Sequence, residues 1–140
     1  MGMVLTAGKF STMQQELLQK PLIFCNPDKT LKANAISINV EMAKKLSEIK
    51  QNRRAMRMEQ CLQEVLNKLP DHVVIKDFDV MFNPGYEIDV LRIMIATAKI
   101  KSFSLIWPGK FEEGKLVYAE EGFQDYKVFD VNKYEITCII

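Results

Sequence analysis

Between residues 73 and 107 the chain reads Val73-Val74-Ile75-Lys76-Asp77-Phe78-Asp79, then breaks at Asn83-Pro84-Gly85. It runs apolar over residues 88–98 and ends in Phe103-Ser104-Leu105-Ile106-Trp107 before Pro108-Gly109. The outer stretches are short, apolar and bounded by turn residues, which is how buried strands read. The stretch between them is apolar almost all round (Ile88, Val90, Leu91, Ile93, Met94, Ile95, Ala96), so it is expected as a well-buried helix. Strands separated by helices argue for a mostly parallel sheet with helices on both faces. In such sheets ligands bind at the carboxyl ends of the strands. The segments that follow Cys25, Ile75 and Trp107 are therefore the ones to inspect.

Outward from this unit the same grammar repeats. Residues 54–69 place Ala55, Met58, Cys61, Leu62, Val65, Leu66 and Leu69 on one face of a 3.6-residue period, and Pro70-Asp71 stops the helix. Glu64 and Lys68 stand four apart on its other side. Upstream, Ala35-Ile36-Ser37-Ile38 alternates as a strand, Asn39 can cap the next helix, and residues 40–49 are moderately amphipathic. Leu22-Ile23-Phe24-Cys25 is another apolar run of strand length after Pro21. Ser11-Thr12-Met13-Gln14 has the spacing of a capping box and predicts a short helix to Lys20. Lys115-Leu116-Val117-Tyr118 and residues 134–139 are expected as strands near one edge.

Composition narrows the classes. With 140 residues, 48% of them apolar and 26% charged, the chain has the makeup of one ordinary globular domain spanning residues 1–140. Its 19 basic and 18 acidic side chains give no overall pull toward nucleic acid or an anionic membrane. The first residues do not resemble a signal peptide, and no apolar run approaches the ~20 residues that span a bilayer. Cys25, Cys61 and Cys138 are odd in number and set among apolar neighbours, the pattern of reduced thiols in the cytoplasm. His72 is the one histidine and there is no CxxC, so zinc lacks credible ligands and no Ser-His-Asp or Cys-His constellation can be assembled. No cofactor is called for.

The run from Leu105 through Trp107-Pro108-Gly109-Lys110 and Gly114-Lys115-Leu116-Val117-Tyr118-Ala119 to Asp125-Tyr126 resembles the C-terminal signature of the BrxF family. These are small P-loop proteins of type 3 BREX bacteriophage-exclusion systems. The order of the other features over residues 20–128 is similar. The resemblance implies a three-layer, P-loop NTPase-like fold closing in a C-terminal antiparallel strand or hairpin, with other components of a phage-defence system as partners.

It also says where a nucleotide would sit. A working P-loop, G-x-x-x-x-G-K-[ST], wraps phosphates with backbone amides and uses Lys and Ser/Thr for the phosphates and Mg²⁺. The matching place here is Phe24-Cys25-Asn26-Pro27-Asp28-Lys29-Thr30. Lys29-Thr30 fits the end of the motif, but both glycines are missing, Pro27 has no amide to give, and Asp28 puts a negative charge where phosphates would lie. Only four residues separate Thr30 from the next strand, too few for a helix of normal length. The phosphate loop is thus degenerate. Asp77 resembles the metal-binding Asp of a Walker-B strand, with Asp79 beside it.

The expected role is therefore that of a non-catalytic accessory protein acting through binding. Two alternatives stand beside it. One is a minimal NTPase that binds nucleotide through Lys29, Thr30 and Asp77, completed by an arginine on oligomerisation. The other is a nucleic-acid module using Arg53, Arg54, Arg57, Lys99 and Lys101. Arg53, Arg54, Arg57 and the aromatic Trp107 are the candidate interaction residues.

Overall fold

A computed structural model describes residues 1–140, the side chain of Gln15 excepted. The chain forms β1 (Met3–Leu5), α1 (Ala7–Phe10), β2 (Leu22–Phe24), α2 (Lys29–Asn34), β3 (Ile36–Ser37) and α3 (Asn39–Ser47). Then follow α4 (Met58–Asn67), β4 (Val73–Lys76), α5 (Val90–Ala98) and β5 (Phe103–Ile106). It ends with β6 (Lys110–Glu112), β7 (Lys115–Tyr118), β8 (Lys127–Asp130) and β9 (Thr137–Ile139). Six strands make a wholly parallel sheet in the order β1-β9-β2-β5-β4-β3, while β6-β7-β8 form a separate antiparallel sheet.

The register explains the main core. Ile23 lies beside both Leu105 and Cys138, and Leu105 beside Ile75, so these side chains share one sheet face. That face is sealed by α3, α4 and α5 through Met42, Leu46, Leu62, Leu66, Leu91 and Met94. The opposite face, with Leu22, Phe24, Val74, Ser104 and Ile106, has less above it. Leu5, Leu18, Leu22 and Ile139 form a small second cluster with Phe10, Met13 and Phe24 over one side of it. The connection from β2 to β3 carries α2, none of whose side chains is buried. The sequence predicted helices on both faces, but the long ones all lie on one.

Other expectations change in detail. The Ser11 capping box does not open a helix: α1 begins earlier, with Thr6 Oγ1 accepting from the Lys9 amide at 3.2 Å. Ser11 turns its hydroxyl back to the Gly8 carbonyl at 2.7 Å and so serves the helix end. Asn39 caps nothing of its own, because its Oδ1 accepts from the Val80 amide at 2.9 Å. Glu64 pairs with Lys45 of α3, 3.5 Å away, rather than with Lys68. The C-terminal hairpin is a three-stranded sheet, and β9 is interior, between β1 and β2. No helix among the described residues is long and apolar enough to cross a membrane.

Two tyrosines fasten the antiparallel sheet and its continuation to the parallel core. Tyr118 donates to Asp79 Oδ2 at 2.9 Å, and Tyr134 to Asp89 Oδ2 at 2.7 Å. Asp89 also caps α5 by accepting from the Arg92 amide. Burial, and then the carboxylate each phenol faces, push both phenols well above their usual range. A phenol held protonated in the folded state contributes stability that is intact below the unfolded value near 10 and is lost as pH rises beyond it. Alkaline unfolding is therefore expected to set in above about pH 10. Replacing both tyrosines by Phe should cost about 1 kcal/mol each at neutral pH and flatten the alkaline slope. Urea titrations at pH 7 and pH 11 check this, and an unchanged slope refutes it.

Candidate functional site

At the carboxyl edge of the parallel sheet, β2 lies between β9 and β5, neither its neighbour in sequence. Connections leave such strands in different directions, and the crevice between them is where open α/β sheets hold ligands. A cleft of about 290 Å³ opens nearby, lined by Lys32, Lys76, Asp77, Ile106, Trp107 and Pro108. The order strand, loop, Lys29-Thr30, helix is kept, and Asp77 follows the end of β4 as expected. The chain does fit a helix after Asp28, though only of six residues.

Asp28, Lys76 and Asp77 around this crevice are each engaged with the protein itself. Asp28 stands just before α2 and its Oδ1 accepts from the Leu31 amide at 2.8 Å. A phosphate loop would offer an amide of this kind to its ligand, and a carboxylate already holds this one. Asp77 has left-handed backbone (φ 52°), and its Oδ2 accepts from the Ser37 hydroxyl of β3. Lys76 spends Nζ on the Lys32 carbonyl at 2.9 Å, tying α2 to β4. Asp79, the other acidic candidate, faces away to Tyr118. Among the described residues, no three His, Cys, Asp or Glu side chains converge in a way that could hold a metal ion.

Trp107 is not on an interaction surface, contrary to its expected role. It is 4% exposed, and its indole N–H donates to the Val117 carbonyl at 2.9 Å. The ring meets Phe82 and Phe129 edge-on, at 5.8 and 5.6 Å between centroids. Phe82, Trp107, Tyr118 and Phe129 pack the two sheets together, and Trp107 also borders the cleft.

The arginines precede α4 instead of opening it, because the helix begins at Met58. Arg53 and Arg57 are exposed, while Arg54 Nε donates to the Ile49 carbonyl at 3.0 Å. Arg57 lines a small pocket with Lys45, Glu48 and Glu64, and none of the three lines the cleft beside Asp77. Lys101 is occupied by the Leu69 carbonyl and by Asp71, whose carboxyl that contact holds below the usual range. Lys99 is exposed. The three cysteines are free thiols, and Cys138 is kept protonated by its hydrogen bond with Cys25 and by burial.

Sequence reasoning missed three features. The Asp28 cap was signalled by an Asp directly before the helical start. The Ser37–Asp77 and Lys76–Lys32 contacts join different strands and had no local signal. Compared with known protein families, curated proteins and solved structures, the chain gives no significant match.

Proposed function

We propose that this chain is a non-catalytic interaction protein on a P-loop-type scaffold and, following the resemblance of residues 105–126, an accessory component of a BREX-type phage-defence system acting in the cytoplasm. The observation that carries the non-catalytic part is the capped start of α2. The amide a phosphate would use is bonded to the Asp28 carboxylate, and a second anion there would meet that charge. The arrangement of β2, α2 and the Asp77 strand end supports the scaffold reading, since it keeps the order a nucleotide site needs without its glycines. Its partners are then other proteins of the system, and the described surface serves binding instead of turnover.

Thermal unfolding with Mg-ATP and Mg-GTP tests this reading. A nucleotide bound at 10 µM affinity would add about 2.7 kcal/mol at 1 mM. For a chain of this size that is a rise of roughly 9 °C. The expected result is no shift with either. A rise of that size, lost in Lys29→Ala, would establish the minimal NTPase in its place. The defence role is tested by plating phage on hosts that carry the system. Deleting the chain should abolish protection, whereas Lys29→Ala should leave it intact; full protection without the chain would remove the assignment.

A further inference from the structure

The parallel sheet ends on one side at β3, which pairs with β4 and, among the described residues, with no strand beyond it. An outer strand leaves unused N–H and C=O groups along its free side, and these recruit a further strand. In β3 the ladder fixes which residue carries them. Ile38 donates its amide to the Lys76 carbonyl at 3.1 Å, so its backbone faces β4. Ser37, one residue back, turns its N–H and C=O the other way, and neither has a partner among the described residues. Its hydroxyl is already given to Asp77.

Beside this edge lies a hollow. Ile36 stands next to Ile75 in the register and Ile38 is buried, so both side chains face the helix layer. Next to them a pocket of about 190 Å³ remains, walled also by Val65 and Leu69 of the α4 segment. That is below the ~300 Å³ at which pockets take small-molecule ligands, and it suits one aliphatic side chain. Charge around it falls into two pairs and a remainder. Glu41 is 3.6 Å from Lys44 and Lys45 is 3.5 Å from Glu64, whereas Lys68 is exposed and has no partner among the described residues.

From the unused backbone groups, the pocket and the unpaired lysine, we propose that β3 receives an extended segment of a protein partner as a seventh, antiparallel strand of the sheet. The residue opposite Ser37 exchanges both backbone bonds with it, and the residues before and after that one point to the helix layer. One of these is aliphatic and fills the pocket, and the other is acidic and meets Lys68. A helix is excluded as occupant, because its backbone groups are spent on itself. A second copy pairing through its own β3 would leave the pocket empty, since its Ile36 and Ile38 are turned into its own core. With only two residues in β3, backbone bonding is limited to Ser37, and the pocket and Lys68 supply the selectivity. This deepens the interaction role proposed above and rests on it.

The test selects a library of short unstructured peptides against the purified chain and titrates the enriched ones by fluorescence anisotropy. The expected peptides share Val, Ile or Leu two positions from Asp or Glu. Ser37→Pro removes the outward amide and spares the bonds to β4, as an edge position allows, so it should weaken binding by about tenfold. Ser37→Ala loses the hydroxyl alone and should bind as the parent does. Lys68→Glu should cost about fivefold, regained when the peptide acid is changed to lysine, and at its exposed position it keeps the test decisive if Ser37→Pro loses stability. No enriched peptide, peptides without the aliphatic and acidic pair, or equal affinities for the Pro and Ala variants would overturn the site. So would a dimer of the chain that Ser37→Pro dissociates, which would make this edge a self-interface. Each of these leaves the proposed function standing, because the nucleotide titration and the phage plating decide that separately.

Discussion

Trp107→Ala is expected to cost roughly 4 kcal/mol and to lower the melting temperature by roughly 14 °C. The side chain is almost wholly buried where the parallel sheet meets the antiparallel one. It contributes two edge-on ring contacts, to Phe82 and Phe129, and a buried indole hydrogen bond to the Val117 carbonyl. Removing it opens a cavity between elements held by covalent turns on either side, so little collapse can refill it. It also leaves the Val117 carbonyl without that donor in a buried place. Trp107→Phe keeps part of the ring packing and loses the donor, so about half the cost is expected. Urea unfolding followed by circular dichroism decides the matter. A loss under 1 kcal/mol for Trp107→Ala would mean that the two sheets are not joined here.

This result would also move the residues resembling the family signature from recognition to architecture. Phe82 stacks on Tyr118 at 3.8 Å between centroids and meets Phe129 edge-on, so the helical turn after β4 and the middle and last strands of the antiparallel sheet, β7 and β8, meet around one cluster.

The strands that were legible in the sequence, β2, β3, β4, β5 and β7, are short, mostly apolar runs bounded by turn residues. The helix α5 was legible for the same reason. β1 was not, because Met3 and Val4 are each 40% exposed on an edge and three residues carry no period. β6, Lys110-Phe111-Glu112, is equally short, and its pairing is set by β7 across a turn with left-handed backbone at Glu113 and Gly114. The interior place of β9 could not be read, since strand order depends on which residues pack across the sheet rather than on the strand's own composition.

The places of Asp28 and Asp77 at strand ends were legible in the sequence; their hydrogen bonds were not. The loss of both glycines and the acid at position 28 already argued against phosphate binding, on grounds of missing amides and wrong charge. That the acid bonds the helix start follows from its distance to Leu31, which local spacing suggests and only the folded chain fixes. What Arg54 and Trp107 bond to was not legible for a different reason. Residue type marks what a side chain could contact, whereas burial and competing acceptors such as the Ile49 and Val117 carbonyls decide what it does.

Gly109→Ala is the sharper probe of the same joint, because it adds one carbon. A Cβ at this position would stand 1.9 Å from the Val117 carbonyl oxygen, 3.0 Å from its carbon and 3.0 Å from Trp107 Nε1. Two of these neighbours are backbone and the third is a packed indole, so none can step aside cheaply. Lys110, the next residue, pairs with Val117 in the β6–β7 register, and the added carbon must therefore push the hairpin or break the indole bond. The expected cost is about 3 kcal/mol, near the upper end for overpacking by one carbon. The chain has a single tryptophan, so its emission reports this place alone, and a red shift in the folded variant is expected along with the lost stability. Gly8→Ala is the control: nothing lies within 4 Å of its added carbon in α1, and a gain of up to about 1 kcal/mol is expected. Because Trp107 and Gly109 converge on one carbonyl, combining Trp107→Phe with Gly109→Ala should cost clearly less than the two single losses added together. Strict additivity would show that glycine is required there for some reason other than the approach of Val117.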